Sequence, residues 1–153
     1  MILGDPASAA ITTPQGQRRA SLDEVFHRIA QRQPDMPALI DPPNRSAFTD
    51  GALRRLTYAQ AERAIAAIAA RLTGIGLAAD AIIGIQLPNT VESILTILGV
   101  MRAGMIAAPL PLLWRRADAV AALGRIGAKA LITCGRADGF NHCQLAMRIA
   151  SEL

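Results

Sequence analysis

Between residues 81 and 133 the chain repeats one unit: a short apolar run, a turn signal, a helical stretch and a glycine. The apolar runs cover residues 81–87, 105–108 and 129–133, and none alternates apolar with polar positions. A strand reads as a continuous apolar run when helices cover both of its faces, as in a parallel sheet. Parallel neighbours also need crossover connections of a dozen or so residues. Residues 89–103 and 115–126 have the right length and spacing to be those connections. The expected fold is therefore α/β, a mainly parallel sheet flanked by helices. The three runs are expected as neighbouring parallel strands joined by right-handed crossovers.

Helix signals extend this frame in both directions. Ser21 and Glu24 form a capping box, followed by apolar Leu22, Val25, Phe26, Ile29 and Ala30, and Pro34 ends the helix. Ala38-Leu39-Ile40 reads as a short strand closed by Asp41-Pro42-Pro43, and residues 44–55 as a polar excursion or hairpin loop. Thr57 and Gln60 open a second helix whose Tyr58, Ala61, Ile65, Ile68, Ala69 and Leu72 share a face; Gly74 and Gly76 stop it. Asn89 is the expected cap of a third helix, apolar around most of its circumference from Val91 to Met101. Gly104, Pro109 with Pro111, and Gly127 punctuate the elements that follow. The last helix, about 141–153, sets Leu145, Ile149 and Leu153 at four-residue spacing. Residues 1–19 show no periodicity and are expected as a flexible tail, leaving 20–153 as a single α/β domain.

Composition narrows the function classes. At 52% hydrophobic and 18% charged the chain can build a core. Aromatics are only 3%, too few for base-stacking platforms on single-stranded nucleic acid. The net charge of +4 comes from scattered arginines, never more than two adjacent, so it reads as solvated basic surface rather than a nucleic-acid face. Cys134 and Cys143 form no C-x-x-C and read as idle thiols. His142-Cys143 has only the distant His27 as a further histidine, too little for a zinc site. The greasy stretch 91–114 is interrupted by Arg102, Gly104 and Pro109, so no membrane span is expected. With no basic, apolar leader at the start, a cytoplasmic setting is expected.

No catalytic constellation is legible. There is no G-x-x-x-x-G-K-[ST], no G-x-S-x-G and no H-E-x-x-H. Asp23, Glu24, Glu92 and Asp118 sit at helix starts, where they complement the dipole. Trp114 beside Arg115-Arg116 reads as an interfacial side chain at a strand–helix junction. The Pro88-Asn89 turn places helix amides at a strand's carboxyl end, where open α/β sheets bind ligands.

Four segments carry a resemblance. Leu56-Thr57-Tyr58-Ala59-Gln60-Ala61-Glu62 resembles the L-T-Y-x-E-L of adenylate-forming enzymes, the superfamily of acyl-CoA synthetases, luciferases and peptide-synthetase adenylation domains. Ile83-Gly84-Ile85-Gln86-Leu87-Pro88-Asn89-Thr90-x-Glu92 is similar to their V-A-I-x-L-P-N-S-x-E. Val100-Met101-Arg102-Ala103-Gly104 through Pro109-Leu110 resembles L-K-A-G-A-V-x-V-P-L, and Ala128-Lys129-Ala130-Leu131-Ile132 resembles A-K-x-L-I. The order and spacing agree across residues 21–140.

The resemblance implies an N-terminal subdomain of the adenylate-forming fold, from an ATP-dependent acid–CoA ligase that makes an acyl-adenylate and then a thioester. ATP, Mg and CoA are implied for the full-length family, as is a carboxylic acid or acyl substrate. The family's Ser/Thr/Gly-rich phosphate loop, ribose-binding aspartate and C-terminal catalytic lysine have no counterpart here. Lys129, the single lysine, lies in the A-K-x-L-I segment and is not that residue. No catalytic, cofactor-binding or metal residue carries over, and the chain is expected to be inactive alone. The alternative is a non-catalytic α/β binding or oligomerisation module. Cut from a larger domain, the chain would carry uncovered apolar surface, so a homo-oligomer is expected.

Overall fold

The computed structural model describes residues 20–152. The expected tail, 1–19, and Leu153 lie outside the described residues. The first unit is helical: α1 (Leu22–Arg32) is capped by Ser21, whose side chain accepts from the Glu24 amide while Glu24 reaches back. A short antiparallel ladder follows, β1 (Pro37–Ile40) with β2 (Arg55–Thr57), so residues 41–54 are the excursion of a hairpin. Helix α2 (Tyr58–Gly74) starts from the Thr57–Gln60 capping box and leaves through Gly76 at φ 81°.

The alternating region folds as its pattern predicts. Strand β3 (Ile82–Gln86) lies at the centre of a three-stranded sheet, with β4 (Ile106–Pro109) and β5 (Ala130–Thr133) parallel to it on either side. Helix α3 (Val91–Arg102) connects β3 to β4, and α4 (Arg116–Ile126) connects β4 to β5. The chain then makes a tight hairpin of β6 (Arg136–Ala137) and β7 (Phe140–Asn141) and ends in α5 (His142–Ala150).

The period of two along the strands explains the layers. Ile83 and Ile85 project into an apolar cluster with Leu72 of α2 and Val100 of α3. Gly84 projects the other way, where an added Cβ would stand 2.6 Å from Leu123 of α4. Leu123 belongs to the second cluster with Ala119, Leu145 and Ile149, against which Leu131 of β5 packs. Helices α2 and α3 therefore cover one face of the sheet, and α4 and α5 the other. Helices α2 and α3 cross closely at Gly99, where a Cβ would fall 2.5 Å from Cγ2 of Ile68.

Several expectations need correction. Leu22 and Val25 are 61% and 41% exposed, whereas Asp23 is buried, because Asp23 is needed by Arg102 of α3. Strand β4 includes Pro109, which an edge strand tolerates because the missing amide removes no ladder bond. Helix α3 is capped at Thr90 rather than Asn89, and no side chain of its own turn makes the cap bond. The bond comes from a different segment of the chain. Among the described residues no helix is long and apolar enough to cross a membrane. Both cysteines are free thiols.

Candidate functional site

Connections leave β3 toward β4 and then return past it to β5. At such a reversal the carboxyl ends of two adjacent parallel strands open a crevice, the usual ligand position in open α/β sheets. A cavity of about 310 Å³ lies there. Leu87, Pro88 and Thr90, just beyond β3, form one wall, and Thr133, Cys134 and Gly135, at the end of β5, form another. Arg45, Thr49 and Asp50 of the 41–54 excursion and Arg136 of β6 complete the rim.

The excursion is held over the crevice by buried charge. The Asp41 side chain is fully buried and does three jobs. Its Oδ1 accepts from the Val91 amide at 2.8 Å, the first residue of α3. Its Oδ2 accepts from the Arg54 amide at 2.8 Å and from the Arg45 guanidinium. Arg45 reaches on to Glu92 at 2.8 Å, and Arg54 joins the same carboxylate at 3.1 Å. Burial alone would raise the Asp41 carboxyl, but the Val91 amide, the Arg45 guanidinium and the Arg54 amide outweigh it and hold it below its ordinary value. At Glu92 burial is likewise outweighed, first by Arg45, and the carboxyl sits at about 2.

This network changes the chemistry the crevice can perform. Helix N-termini attract phosphate because their amides lack partners. Here the Asp41 carboxylate already occupies that position on α3, so the amide of Val91 after the Pro88-Asn89 turn is not a vacant anion cradle. Cys134 is half-buried, and burial pushes its thiol up, so it lines the wall as a neutral group rather than a thiolate nucleophile. Among the described residues no group of three or more His, Cys, Asp or Glu is placed to hold a metal ion. What remains is a shaped pocket with an apolar floor (Leu87, Pro88, Ile132), hydroxyls from Thr90 and Thr133, and the Asp50 and Arg136 side chains at its rim.

The Pro111–Trp114 loop, which follows β4, is fixed over the end of β3. The buried Gln86 amide donates to the carbonyls of Pro111 and Trp114, each at 3.0 Å. Arg115 donates to the carbonyls of Leu112 and Leu113. Trp114 is half-buried at this junction, as expected, while Leu113 is 76% exposed. A second, larger cavity of about 430 Å³ lies far from the strand ends, lined by Asp23, Glu24, His27, Arg28, Glu62 and Arg102. Its polar groups are spent on one another: Arg102 bridges Asp23 and Glu62, and Glu62 also bonds His27. That cluster clamps α1 onto α2 and α3, and is structural.

The turn after β3 that the sequence marks does line the crevice, whereas the sequence places Asp41 only at a strand end and Arg45 among the solvated arginines. The signal available was Asp41-Pro42-Pro43, a carboxylate at a rigid corner, without any indication of its distant partner.

The sequence profile of a family described as AMP-binding enzyme matches residues 26–152. A 4-hydroxyphenylalkanoate adenylyltransferase from Mycobacterium marinum is 32% identical over 114 residues, covering 69% of this chain and 17% of that protein. The long-chain fatty acid transport protein 1 of Rattus norvegicus is 32% identical over 120 residues, covering 77% of the chain and 17% of that protein. Among solved structures, the NpsA N-terminal subdomain of Klebsiella oxytoca in complex with anthranilyl-AMSN superposes with a TM-score of 0.63 at 26% identity. The match covers 73% of this chain and 27% of that one. The chain thus spans about 17% of the length of these curated relatives.

Proposed function

The chain belongs to the AMP-binding enzyme family, and from that premise we propose that it is the N-terminal α/β scaffold of an ATP-dependent acid–CoA ligase. In this reading it shapes one wall of a substrate site and supplies no reacting group. Two kinds of relative support the parent reaction: one named as an adenylyltransferase of 4-hydroxyphenylalkanoates, the other as a long-chain fatty acid transport protein. The apolar floor of the crevice suits the acyl part of such an acid rather than a nucleotide.

The observation that carries the reading is the Asp41–Val91 bond. The N-terminus of α3, which borders the crevice, is closed by a buried carboxylate, so it offers no vacant amide cradle for a triphosphate. In this reading phosphate and metal chemistry belong to other parts of the parent polypeptide, and no step of it is assigned to residues of this chain. Transfer to CoA is proposed as the second half-reaction on the likeness to acyl-CoA synthetases, one branch of that superfamily. The test is the coding sequence beyond Leu153. An in-frame Ser/Thr/Gly-rich loop followed by several hundred codons is the expected result; an immediate stop codon would overturn the ligase reading in favour of a non-catalytic binding or oligomerisation module.

A further inference from the structure

His142 is the first residue of α5 and is 1% exposed. Its Nδ1 is buried without a hydrogen-bond partner. The ring meets Phe140 edge-on, with centroids 5.1 Å apart, and the Arg115 guanidinium lies 4.2 Å from the centroid of the same Phe140 ring. Its backbone amide donates to the Gly135 carbonyl at 3.0 Å, closing the base of the β6–β7 hairpin. A charged imidazolium here would carry an N–H with no acceptor, at the positive end of a helix, with a guanidinium nearby. The charged groups that bear on the ring are Arg115, at the start of α4, which opposes protonation, and Asp138, in the hairpin turn, which favours it. Burial is the largest influence and, together with Arg115, holds the imidazole below its ordinary value against Asp138.

The hairpin that His142 closes is also a wall of the crevice. The Asp138 amide donates to the Phe48 carbonyl at 2.6 Å, and the Thr49 hydroxyl donates to the Arg136 carbonyl at 3.0 Å. Thr49 forms a β-bridge with Ala137, and Gly135 and Arg136 line the cavity. Leu145 and Ile149 of α5 are buried in the second apolar cluster, with Phe140 packed only against its edge, so opening at His142 releases Phe140 while the buried residues of the cluster stay in place.

We propose that His142 is an acid-sensitive latch: its protonation opens the 135–142 hairpin and the first turn of α5, and so removes one wall of the crevice. The latch is closed above about pH 6.5, the ordinary histidine value. It loosens as the pH falls below that value, because the open form then binds a proton that the closed form excludes. The proposal is independent of what the crevice binds.

Amide hydrogen exchange on the 153-residue chain tests it. Protection factors, corrected for intrinsic rates, are compared at pH 7.5 and pH 5. The expected result is a severalfold loss at the His142 amide and the β6–β7 ladder, with a ceiling of about thirtyfold set by the roughly 1.5 pH units between the ordinary histidine value and pH 5. Amides of β3 should keep their protection, and His142→Gln should show no pH-dependent loss. Unchanged protection in the wild type, an equal loss in His142→Gln, or loss across β3 would each overturn the latch. Should His142→Gln fail to fold, the NMR titration of the His142 ring in the wild type decides: a midpoint below the ordinary histidine value supports the latch, and one at or above it refutes it.

Discussion

Replacing Asp41 removes three bonds at once, and its consequence can be worked from the geometry. The carboxylate is fully buried and holds the Val91 amide, the Arg54 amide and the Arg45 guanidinium. The Arg45 side chain is only 8% exposed. Breaking a buried ion pair by removing one partner costs about 3–5 kcal/mol, because the other charge stays desolvated. Glu92 still neutralises Arg45 in part, which places Asp41→Asn near the lower end and Asp41→Ala, with no acceptor left, near the upper. A domain of this kind has a total stability of about 5–15 kcal/mol, so the loss is a large share of it. Urea unfolding followed by the fluorescence of Trp114, the single tryptophan, reads it directly. With a slope of roughly 1–3 kcal/mol per molar, the midpoint should fall by at least about 1 M. Arg45→Met supplies the second arm of a double-mutant cycle, with an expected coupling of about 1–3 kcal/mol in favour of the pair. A loss below about 1 kcal/mol for Asp41→Ala, or a coupling near zero, would refute the assignment of Asp41 as the cap of α3 and brace of the excursion.

Gly99→Ala should destabilise by about 1–3 kcal/mol in thermal or urea unfolding, although alanine is the better helix former by about 1 kcal/mol. The new methyl meets the stiff, β-branched Ile68 at 2.5 Å, and a neutral or stabilising outcome would mean that the α2–α3 crossing is looser than described. Acid should weaken the fold in a second step below that of His142. Glu92 titrates at about 2 instead of its ordinary 4.5, so its contribution is complete above about pH 4.5 and is lost as the pH falls toward 2. Urea midpoints measured across that window should fall with pH in the wild type and less steeply in Glu92→Gln. The isolated chain should self-associate in light scattering, since both outer edges of the three-stranded sheet lack a neighbour among the described residues and Ile106 on one of them is 47% exposed. A monomer mass at high micromolar concentration would count against it.

The parts legible in the sequence are those governed by local chemistry or by period. Strands β3, β4 and β5 were visible because strands packed under helices on both sheet faces lack apolar–polar alternation, even with Gln86 and Thr133 at the ends of β3 and β5. Ser21 and Thr57 were visible because a capping box is written within four residues. Gly127 ends α4 with φ 63°, as a glycine at that place predicts. What escaped depends on residues far apart in the chain. Asn89 is the better local cap, yet Asp41, fifty positions away from Val91, makes the bond. Leu22 fits the apolar stripe of α1, yet Asp23 is the buried residue, because Arg102 lies opposite it. The β6–β7 hairpin carries the Asp138-Gly139 turn signal, but its strands are two residues each, below the length at which alternation registers.

Acid-dependent exchange of pyrophosphate into ATP by the purified 153-residue chain is the most direct test of the central claim, that this unit shapes a site and supplies no phosphate chemistry. Offered a panel of aryl and long-chain acids with Mg, the chain should give exchange indistinguishable from a no-protein control. Exchange clearly above that control, dependent on the acid and on Mg, would contradict it and would mean that residues of this chain cradle a triphosphate despite the closed terminus of α3.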